Sequence, residues 1–421
     1  MGILDGRRFL VYGDGLSGKA ARRAIRRNGG KVRLCTDSDD GRFSEPRDVD
    51  FSAAVISPGI KPTHPVYAFC EKNGIETMSE AGLGFMLATE PVVGVTGTNG
   101  KTTVTMLIAD MIGGVACGNI GYPISSAVTN KKPLVCELSS FQLYNNDYIA
   151  PRVAVITNIA SDHIDWHGSI EEYYRCKCNI AVNMRGGYLI LGENIPIKAL
   201  ESLETDAEIL RCSTERTVDG AYVRDGYFWF CGRRVCPTDY LRLQGKHNVE
   251  NALCAIAAAS VMKTDNRKIL SALSGAALAP HRVAFVGLAA GKRWIDDSKG
   301  TNIAACLAAV EATAGRICLI TGGRDKGLDF SALFGALDGR VTSVIAMGES
   351  ALVIREAAAR CGKEVNVANG LFDAVALAAA TDADTVLLSP ACASFDEFAN
   401  YGARGEAFSA AVRALAQKDN G

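Results

Sequence analysis

Three features are missing from this sequence, and each absence argues against a class of protein. The chain has almost no net charge, −1 over 421 residues at pH 7, so no bulk electrostatic attraction to nucleic acid or to a membrane surface is expected. No apolar run is long enough to span a bilayer. The segment Met1–Gly6 lacks the apolar core of a signal peptide. The composition that remains, with 48% hydrophobic and 22% charged residues, is typical of a soluble globular protein.

The sequence also lacks the cysteine spacings that bind zinc or carry out disulfide exchange. Cys176 and Cys178 are separated by a single residue, which suits neither a zinc site nor a redox Cys-x-x-Cys motif. Many of the 14 cysteines have apolar neighbours, among them Cys35, Cys117, Cys136, Cys254 and Cys318. We therefore expect reduced thiols in the core of a cytoplasmic protein.

The most informative segment that is present is a glycine-rich loop after the apolar run Pro91–Val93. Residues 94–103 read Gly-Val-Thr-Gly-Thr-Asn-Gly-Lys-Thr-Thr, and a helix is predicted to begin near Thr102. Glycines allow backbone N–H groups to converge on an anion, Lys101 adds a positive charge, and the Thr102 hydroxyl suits Mg²⁺. The loop is not a strict Walker A motif, because Val95 stands where that motif has its first glycine. The sequence nevertheless predicts a phosphate-binding loop at a helix N-terminus.

A second glycine turn lies near the start of the chain. Residues 13–18 read Gly-Asp-Gly-Leu-Ser-Gly directly after the apolar run Phe9–Tyr12, and Asp37 follows the next predicted strand. This is the dinucleotide fingerprint with its acidic residue, in a strand–turn–helix setting. One interpretation is a nicotinamide dehydrogenase and another is a purely structural turn. A third, a nucleotide-linked substrate, is favoured because the separate loop at 94–103 implies two different phosphate ligands.

Strand-like and helix-like segments alternate along the whole chain, which predicts an α/β fold with parallel sheets. We expect an N-terminal Rossmann-like domain over residues 1–90, a central P-loop ATPase-like domain over 91–278 and a C-terminal Rossmann-like domain over 279–421. Ligands are expected at domain interfaces. The predicted strands include Arg8–Tyr12, Val32–Thr36, Ala53–Ser57, Pro133–Leu138, Val153–Asn158, Arg316–Thr321, Val341–Met347 and Thr385–Ser389, and the predicted helices include Ile303–Thr313 and Ala351–Arg360.

The loop Gly97–Thr103 resembles that of the Mur ligase family, ATP-dependent amide-bond synthetases of cell-wall precursor assembly that are related to folylpolyglutamate synthetases. Further family motifs recur in order along essentially the whole chain, at Gly118–Gly121, Glu137–Leu143, Asn158–Asp165, Gly245–Asn248, Pro280–Arg282 and Asp296–Asn302. The opening Gly13–Gly18 and the C-terminal segment Ser389–Gly405 resemble the branch that adds D-glutamate. The Asp-Asn-Pro-Arg motif of the branch that adds diaminopimelate or lysine is absent.

Two positions depart from the family pattern. Only Ile112–Cys117 separate the phosphate-loop helix from Gly118, where the family usually has a longer connection, so a helix or strand should be truncated there. Gly402 stands where an acidic residue is common. Neither departure removes a residue that the implied chemistry requires.

The resemblance implies a reaction that activates a carboxylate. ATP would phosphorylate the carboxylate of UDP-N-acetylmuramoyl-L-alanine to an acyl phosphate, and the amine of D-glutamate would then displace phosphate. Phosphoryl transfer depends mainly on positioning and charge neutralisation. The implied catalytic residues are Lys101, Glu137, His163, Lys177 and Lys299. Two Mg²⁺ ions are implied, with Thr102, Glu137, His163 and Lys177 as ligands, Lys177 being a carbamate formed with CO₂.

The same resemblance implies the ligand contacts, residue by residue. ATP would contact Gly97, Thr98, Asn99, Gly100, Lys101, Thr102, Thr103, Asn248, Arg282 and Asp297. The UDP-linked substrate would contact Gly15, Leu16, Ser17, Asp37, Ser38, Asn119 and His163. D-glutamate would contact Thr301, Lys326, Ser394, Phe395 and Tyr401, with Lys326 supplying the positive charge that a dicarboxylate needs.

These assignments have structural alternatives. Glu137 is alternatively a capping carboxylate, His163 a structural group at a strand end, and Lys177 an exposed helical lysine. The third-domain residues are alternatively surface or capping residues. For the whole chain, the alternatives are a ligase of this family that adds another amino acid, a nicotinamide oxidoreductase, and a nucleotide-regulated binding module without turnover. No nucleic acid or membrane partner is expected, and the chain is expected to be a monomer.

Overall fold

The computed structural model describes residues 2–201, 203–243, 245–276, 280–325 and 327–419. Three β-sheets with flanking helices make up these residues, which confirms the predicted α/β class. Most neighbouring strands are parallel, and several of them are buried along their whole length, among them Ala53–Ile56, Val92–Thr96, Leu134–Glu137 and Val153–Ile156. Such strands need continuous apolar runs because helices cover both faces of the sheet.

The N-terminal sheet has four parallel strands in the order β2-β1-β3-β4. Its first strand coincides with the predicted one, and its second is shifted by one residue. The elements are β1 (Arg8–Tyr12), α1 (Leu16–Arg27), β2 (Lys31–Cys35), β3 (Ala53–Ile56), α2 (Pro65–Lys72), β4 (Glu76–Ser79) and α3 (Glu80–Leu87).

The central sheet has nine strands in the order β13-β12-β11-β10-β9-β8-β5-β7-β6, and only the pairs β11–β12 and β12–β13 are antiparallel. The elements are β5 (Val92–Thr96), α4 (Lys101–Ile112), β6 (Val115–Gly118), α5 (Ile124–Ala127), β7 (Leu134–Glu137), β8 (Val153–Ile156), α6 (Ile164–His167), α7 (Ile170–Val182), β9 (Tyr188–Leu191), α8 (Ile197–Leu200), β10 (Glu208–Ser213), β11 (Gly220–Arg224), β12 (Tyr227–Phe230), β13 (Arg233–Pro237), the 3₁₀ helix Thr238–Tyr240, α9 (Lys246–Val261) and α10 (Asn266–Gly275).

The short connection before Gly118 consists of two glycines between α4 and β6. Gly113 ends the helix with a φ of 66°, which is the left-handed conformation that glycine adopts readily. Gly114 follows, and a Cβ there would approach the carbonyl oxygen of Pro133 to 2.8 Å. Both flanking elements are present, a helix of 12 residues and a strand of four.

The C-terminal sheet has six strands in the order β14-β15-β19-β16-β17-β18, and only β14 runs antiparallel to its neighbour. The predicted strand over 341–347 is found with the same bounds. The elements are β14 (Ala284–Ala289), β15 (Lys292–Asp296), α11 (Ile303–Ala312), β16 (Ile317–Gly322), α12 (Phe330–Ala336), β17 (Val341–Met347), α13 (Ala351–Arg360), β18 (Asn366–Val367), α14 (Leu371–Ala379), β19 (Thr385–Leu388) and α15 (Tyr401–Asp419).

The chain forms two compact units. The first contains the residues up to Ser161 together with Trp166–Arg242 and Asn248–Ala276, and it holds the N-terminal and central sheets. The second contains Asp162–Asp165, Leu243–His247 and the chain from residue 277 onward, with the C-terminal sheet. The boundaries predicted at residues 90 and 278 stay predictions, and residue 278 lies outside the described residues.

Most of the cysteines lie in the interior. Of the five named from the sequence, Cys117, Cys136, Cys254 and Cys318 are buried, whereas Cys35 is half-buried. Among the described residues, no helix combines the length and the apolar character that crossing a membrane requires.

Candidate active site

The phosphate loop is held in a conformation that only glycine allows at two positions. Gly97 has a φ of 141° and Gly100 a φ of 79°. A Cβ at Gly97 would lie 2.0 Å from Oγ1 of Thr157, and one at Gly100 would lie 2.1 Å from Oδ1 of Asn251. The helix α4 begins at the next residue without a side-chain N-cap, and the N-terminus of a helix is a favourable position for an anion.

Two side chains from the end of β8 fix the middle of this loop. Asn158 accepts a hydrogen bond from the Asn99 N–H at 2.9 Å and returns one from Nδ2 to the Asn99 carbonyl at 3.1 Å. The Thr157 hydroxyl donates to the same carbonyl at 2.6 Å. Asn158 lies in a motif that the sequence singled out, but no role was predicted for it. Its place in that motif could have indicated a role, because an asparagine amide can pair with a peptide group through both a donor and an acceptor.

Two lysines share one acceptor in the loop. Lys101 Nζ donates to the carbonyls of Gly97 at 2.9 Å and Thr98 at 2.8 Å, and Lys177 Nζ donates to the same Gly97 oxygen at 2.7 Å. The two nitrogens are therefore no farther apart than the sum of their distances to that oxygen. Two ammonium groups this close repel each other, and burial strengthens the repulsion.

Lys177 is buried, with 2% of its surface exposed, so the alternative of an exposed helical lysine is wrong. Its Nζ lies 5.1 Å from the centroid of the Tyr173 ring and 3.4 Å from the Thr96 hydroxyl. The helix α7 carries Tyr173 and Lys177, and its N-cap Ser169 accepts a hydrogen bond from the Glu172 N–H.

A buried carboxylate lies beside the first turn of α4. Glu137, at the end of β7, accepts from the Thr102 hydroxyl at Oε2 and from Asn119 Nδ2 at Oε1, both at 2.8 Å. Glu137 and Thr102 are 2% and 6% exposed. A hydroxyl and a carboxylate are hard oxygen ligands that suit Mg²⁺, which usually binds one or two protein groups together with substrate phosphates. The two residues therefore fit the predicted metal.

The described residues contain no cluster of three or more His, Cys, Asp or Glu side chains arranged for a metal ion. A magnesium ion at Thr102 and Glu137 would therefore depend on ligands of other kinds, which include phosphate oxygens, water and a carbamate.

His163 belongs to the second unit. Its backbone has a φ of 54°, an uncommon conformation for a residue other than glycine and one that is enriched at functional sites. Its N–H donates to Oδ1 of the buried Asp162 at 2.9 Å, and Asp162 Oδ2 accepts from Asn302 Nδ2 at 3.4 Å. Asn302 is also the N-cap of α11, so the loop that carries His163 is tied to the start of that helix.

Asn248, one of the predicted ATP contacts, lies in α9 of the first unit, where it is 2% exposed. Its Oδ1 accepts from Asn251 Nδ2 at 3.4 Å. Asn251 also lies against Gly100, so one residue contacts both the phosphate loop and Asn248.

The second unit brings together Arg282 and Asp297. Asp297 is 5% exposed, and its Oδ2 accepts from the Ser389 hydroxyl at 2.7 Å. Burial raises the pKa of this carboxyl to about 7, against the opposing effects of the Ser389 hydrogen bond and the Arg282 charge. Nε of Arg282 is buried and has no hydrogen-bond partner among the described residues. An unsatisfied guanidinium nitrogen beside a carboxyl suits a polyanion with hydroxyl groups, as the sequence predicted for ATP.

The raised pKa of Asp297 gives a testable stability profile. Between about pH 4 and about pH 7 the folded protein keeps this proton while the unfolded chain has lost it. The free energy of unfolding should therefore fall with rising pH, by about 1.4 kcal/mol per unit, and level off above pH 7. Denaturant unfolding of the parent and of Asp297→Asn across this range isolates the effect. If the parent instead became more stable relative to the variant as the pH rises, Asp297 would be an ionised carboxylate that the fold stabilises, and the expected raised pKa would be wrong.

The predicted amino-acid subsite is only partly described, because Lys326 lies outside the described residues. Ser394 is 2% exposed, whereas Phe395 is 61% exposed at the surface. Lys299 Nζ lies 5.2 Å from the Tyr401 ring centroid. Thr301 directly precedes Asn302, and Gly402 lies in the first turn of α15.

Sequence reasoning assigned no role to Arg404, which organises this region. It is 1% exposed, and its guanidinium donates to the Ser298 hydroxyl at 2.9 Å, the Ser298 carbonyl at 2.9 Å and the Cys392 carbonyl at 3.1 Å. Ser298 donates in turn to the Tyr401 carbonyl at 2.8 Å. Arg404 thereby joins the loop after β15, the loop after β19 and the start of α15. The sequence feature that could have indicated this role is the position of Arg404 inside the family-like segment Ser389–Gly405.

The turn after β1 is closely packed. Gly13 has a φ of 103°, and a Cβ at Gly18 would lie 1.9 Å from the Gly13 carbonyl oxygen. The helix α1 begins at Leu16, whose side chain is 81% exposed. Its N-cap is Gly15, so no side chain caps the first turn. Ser57 Oγ is buried beside this turn and has no hydrogen-bond partner within the part of the chain that the structure describes. Sequence reasoning missed Ser57, since no motif contained it.

Asp37, at the end of β2, accepts hydrogen bonds from Tyr12 and His64, neither of which the sequence analysis singled out. Ser38 is exposed, and its hydroxyl donates to Asp40 Oδ1 at 2.5 Å or to the Arg42 carbonyl at 2.8 Å. Ser17 lies in the first turn of α1.

Two known protein-family domains match most of the chain. The Mur ligase middle domain matches residues 95–259, and the Mur ligase glutamate ligase domain matches residues 281–392. The chain is 36% identical to the UDP-N-acetylmuramoylalanine–D-glutamate ligase of Streptococcus thermophilus over 98% of both chains. It is 39% identical to the enzyme of the same name from Enterococcus faecalis, over 90% of this chain and 86% of the other.

Solved structures show the same fold at lower identity. The UDP-N-acetylmuramate–alanine ligase of Thermotoga maritima aligns with a TM-score of 0.62 and 16% identity, covering 98% of this chain and 99% of that one. A pseudomurein peptide ligase of Methanothermus fervidus aligns with a TM-score of 0.58 and 20% identity, covering 91% and 96%. With relatives above 30% identity along nearly its full length, the chain belongs to the Mur ligase family.

Proposed function

We propose that this chain is an ATP-dependent ligase that joins D-glutamate to the L-alanine carboxylate of UDP-N-acetylmuramoyl-L-alanine, in peptidoglycan precursor synthesis in the cytoplasm. The observation that carries the proposal is that relatives at 36% and 39% identity, aligned over most of the chain, are both named for this activity. The glycine loop with Lys101, Thr102 and Glu137 supplies the phosphoryl-transfer half of such a reaction.

The loop residues act on the charge of the nucleotide. The first-turn N–H groups of α4 and the Lys101 ammonium receive the β- and γ-phosphates, while Arg282 and Asp297 contact phosphate and ribose and Asn248 the adenine. The Lys101 hydrogen bonds to Gly97 and Thr98 hold its ammonium at the loop before phosphate arrives. Such pre-organisation lowers the reorganisation needed in the transition state.

Thr102 and Glu137 would hold Mg²⁺, which would supply positive charge to neutralise the phosphates when bound. The chain's own part is to orient those two oxygens, and Asn119 does so by donating to Glu137 Oε1. Lys299 adds positive charge near the transferred phosphate, and His163 contributes to a second metal position. Thr301, Lys326, Ser394, Phe395 and Tyr401 hold D-glutamate. Gly15, Leu16, Ser17, Asp37, Ser38 and Asn119 hold the UDP-linked substrate.

Lys177 carries a carbamate in the active enzyme. The support is electrostatic, since an unmodified ammonium shares the Gly97 carbonyl with Lys101. A carbamate keeps one N–H that donates to this carbonyl, and it replaces a repelling cation with an anion that attracts both Lys101 and Mg²⁺.

Substrate specificity tests the proposed function. Phosphate release is measured with ATP and UDP-N-acetylmuramoyl-L-alanine together with D-glutamate, L-alanine or meso-diaminopimelate in separate reactions. We expect turnover with D-glutamate only, because two carboxylates must meet matched donors. Faster turnover with another amino acid would place the chain in a different branch of the family. Tight NAD binding without binding of the UDP-linked substrate would support an oxidoreductase.

A further inference from the structure

Three side chains converge where β1 and β2 end. The Tyr12 hydroxyl donates to Oδ1 of Asp37 at 2.5 Å, and Nε2 of His64 lies 3.0 Å from the same oxygen. The Phe43 ring packs edge-on against His64 at 5.7 Å and lies 5.9 Å from the Tyr12 ring. Aromatic contacts therefore fix the rings that carry both polar groups.

The hydrogen bond at Nδ1 of His64 determines which ring nitrogen carries the proton. His64 is the N-cap of α2, and its Nδ1 accepts from the Val66 N–H at 3.2 Å. A neutral imidazole has one acceptor and one donor nitrogen, so Nε2 carries the hydrogen and donates to Asp37. Burial raises the pKa of the Tyr12 phenol, and the neighbouring Asp37 carboxylate raises it further. The phenol therefore stays protonated and also donates to Asp37.

The two oxygens of Asp37 consequently differ. Oδ1 accepts two hydrogen bonds from within the fold, whereas no described residue donates to Oδ2. The carboxylate is about one-third exposed, so one oxygen is fixed inward and the other is left to an incoming donor.

We propose that Tyr12 and His64 are positioning residues that orient Asp37 toward the nucleoside of the UDP-linked substrate. Oδ2 accepts one hydrogen, from either the ribose 2′-hydroxyl or the N3–H of uracil. The inference rests on the proposed function, since it assigns the nucleotide to the turn after β1. An oriented carboxylate loses less entropy on binding than a freely rotating one, so each positioning contact contributes to affinity although neither touches the ligand.

The test measures UDP binding to the full chain by calorimetry. Tyr12→Phe removes only the hydroxyl. His64→Asn keeps an N-cap for α2 but is too short to reach Asp37, which separates the orienting role from the capping role. We expect each variant to weaken UDP binding about fivefold. The KM for the UDP-linked substrate should rise similarly with kcat unchanged. The neighbouring exposed variant Asp39→Asn should bind UDP as the parent does.

Two analogues identify the donor. 2′-Deoxy-UDP lacks one ribose hydroxyl, and CDP lacks the pyrimidine N3–H. The parent should discriminate against one of them, and Tyr12→Phe and His64→Asn should reduce that discrimination. If Asp37→Asn weakens UDP binding but neither positioning variant changes affinity or discrimination, the positioning role is wrong. If Asp37→Asn itself leaves UDP binding unchanged, the assignment of uridine to this turn is wrong.

Discussion

Alanine at position 101 is expected to lower ATP-dependent amide synthesis by at least about a hundredfold, the effect of removing one pre-organised charge donor from a transition state. Lys101 Nζ donates to the Gly97 and Thr98 carbonyls. In the proposed mechanism its charge acts on the phosphates of ATP and not on core packing. The loss should therefore fall on turnover, with the thermal unfolding temperature nearly unchanged.

The matched control is Lys132→Ala, which removes an exposed lysine from the turn before β7. This variant should keep the parent rate. Lys101→Arg retains charge but presents a planar fork in place of a compact ammonium, so it should recover only a small part of the rate. Amide synthesis by Lys101→Ala within about tenfold of the parent would contradict the proposed ligase mechanism.

The second large effect is expected at Lys177. In carbamylation the neutral amine nitrogen attacks the carbon of CO₂, forming an N–C bond and releasing one proton, with no redox change. Lys177→Ala would remove the proposed carbamate and should be nearly inactive, about a hundredfold or more below the parent. Acetate should restore part of the activity, because a small carboxylate fits the vacated volume and supplies the missing charge.

Lys198→Ala, an exposed lysine of α8, is the matched control and should respond neither to acetate nor to CO₂. Parent enzyme prepared in CO₂-depleted buffer should lose activity and regain it with bicarbonate. Full activity without CO₂, together with an unmodified Nζ in a substrate-bound crystal structure, would rule out the carbamate.

The local elements of the fold were predictable because their signals lie within a few residues. The strand Arg8–Tyr12 and the helix that starts beside Lys101 follow from apolar runs and a glycine loop. The antiparallel strands over 220–237 were not predicted. They lie at the edge of the central sheet, and buried and exposed residues do not alternate regularly along them. Their pairing depends on contacts across turns, which the sequence pattern does not show.

The pairing of Thr102 with Glu137 was predictable because each residue lies in a motif for which the family resemblance implied a metal ligand. The candidate site was not predictable where the geometry joins distant segments. Tyr12, Asp37 and His64 are far apart in the chain and meet at one carboxylate oxygen. The Gly97 carbonyl shared by Lys101 and Lys177 is another such case, since sequence spacing gives no distance between their side chains.

The division of the chain between its two units has a consequence for synthesis on the ribosome. Asp162–Asp165 belongs to the second unit, and Asp162 meets its partner Asn302 across 140 residues of chain. At ordinary elongation rates this segment emerges roughly 7 to 30 seconds before that partner. Asp162 therefore lacks its hydrogen bond from Asn302 during that interval of synthesis. A fragment that begins after residue 276 would lack Asp162–Asp165 altogether, and expressing it alone should leave Asn302 without this acceptor.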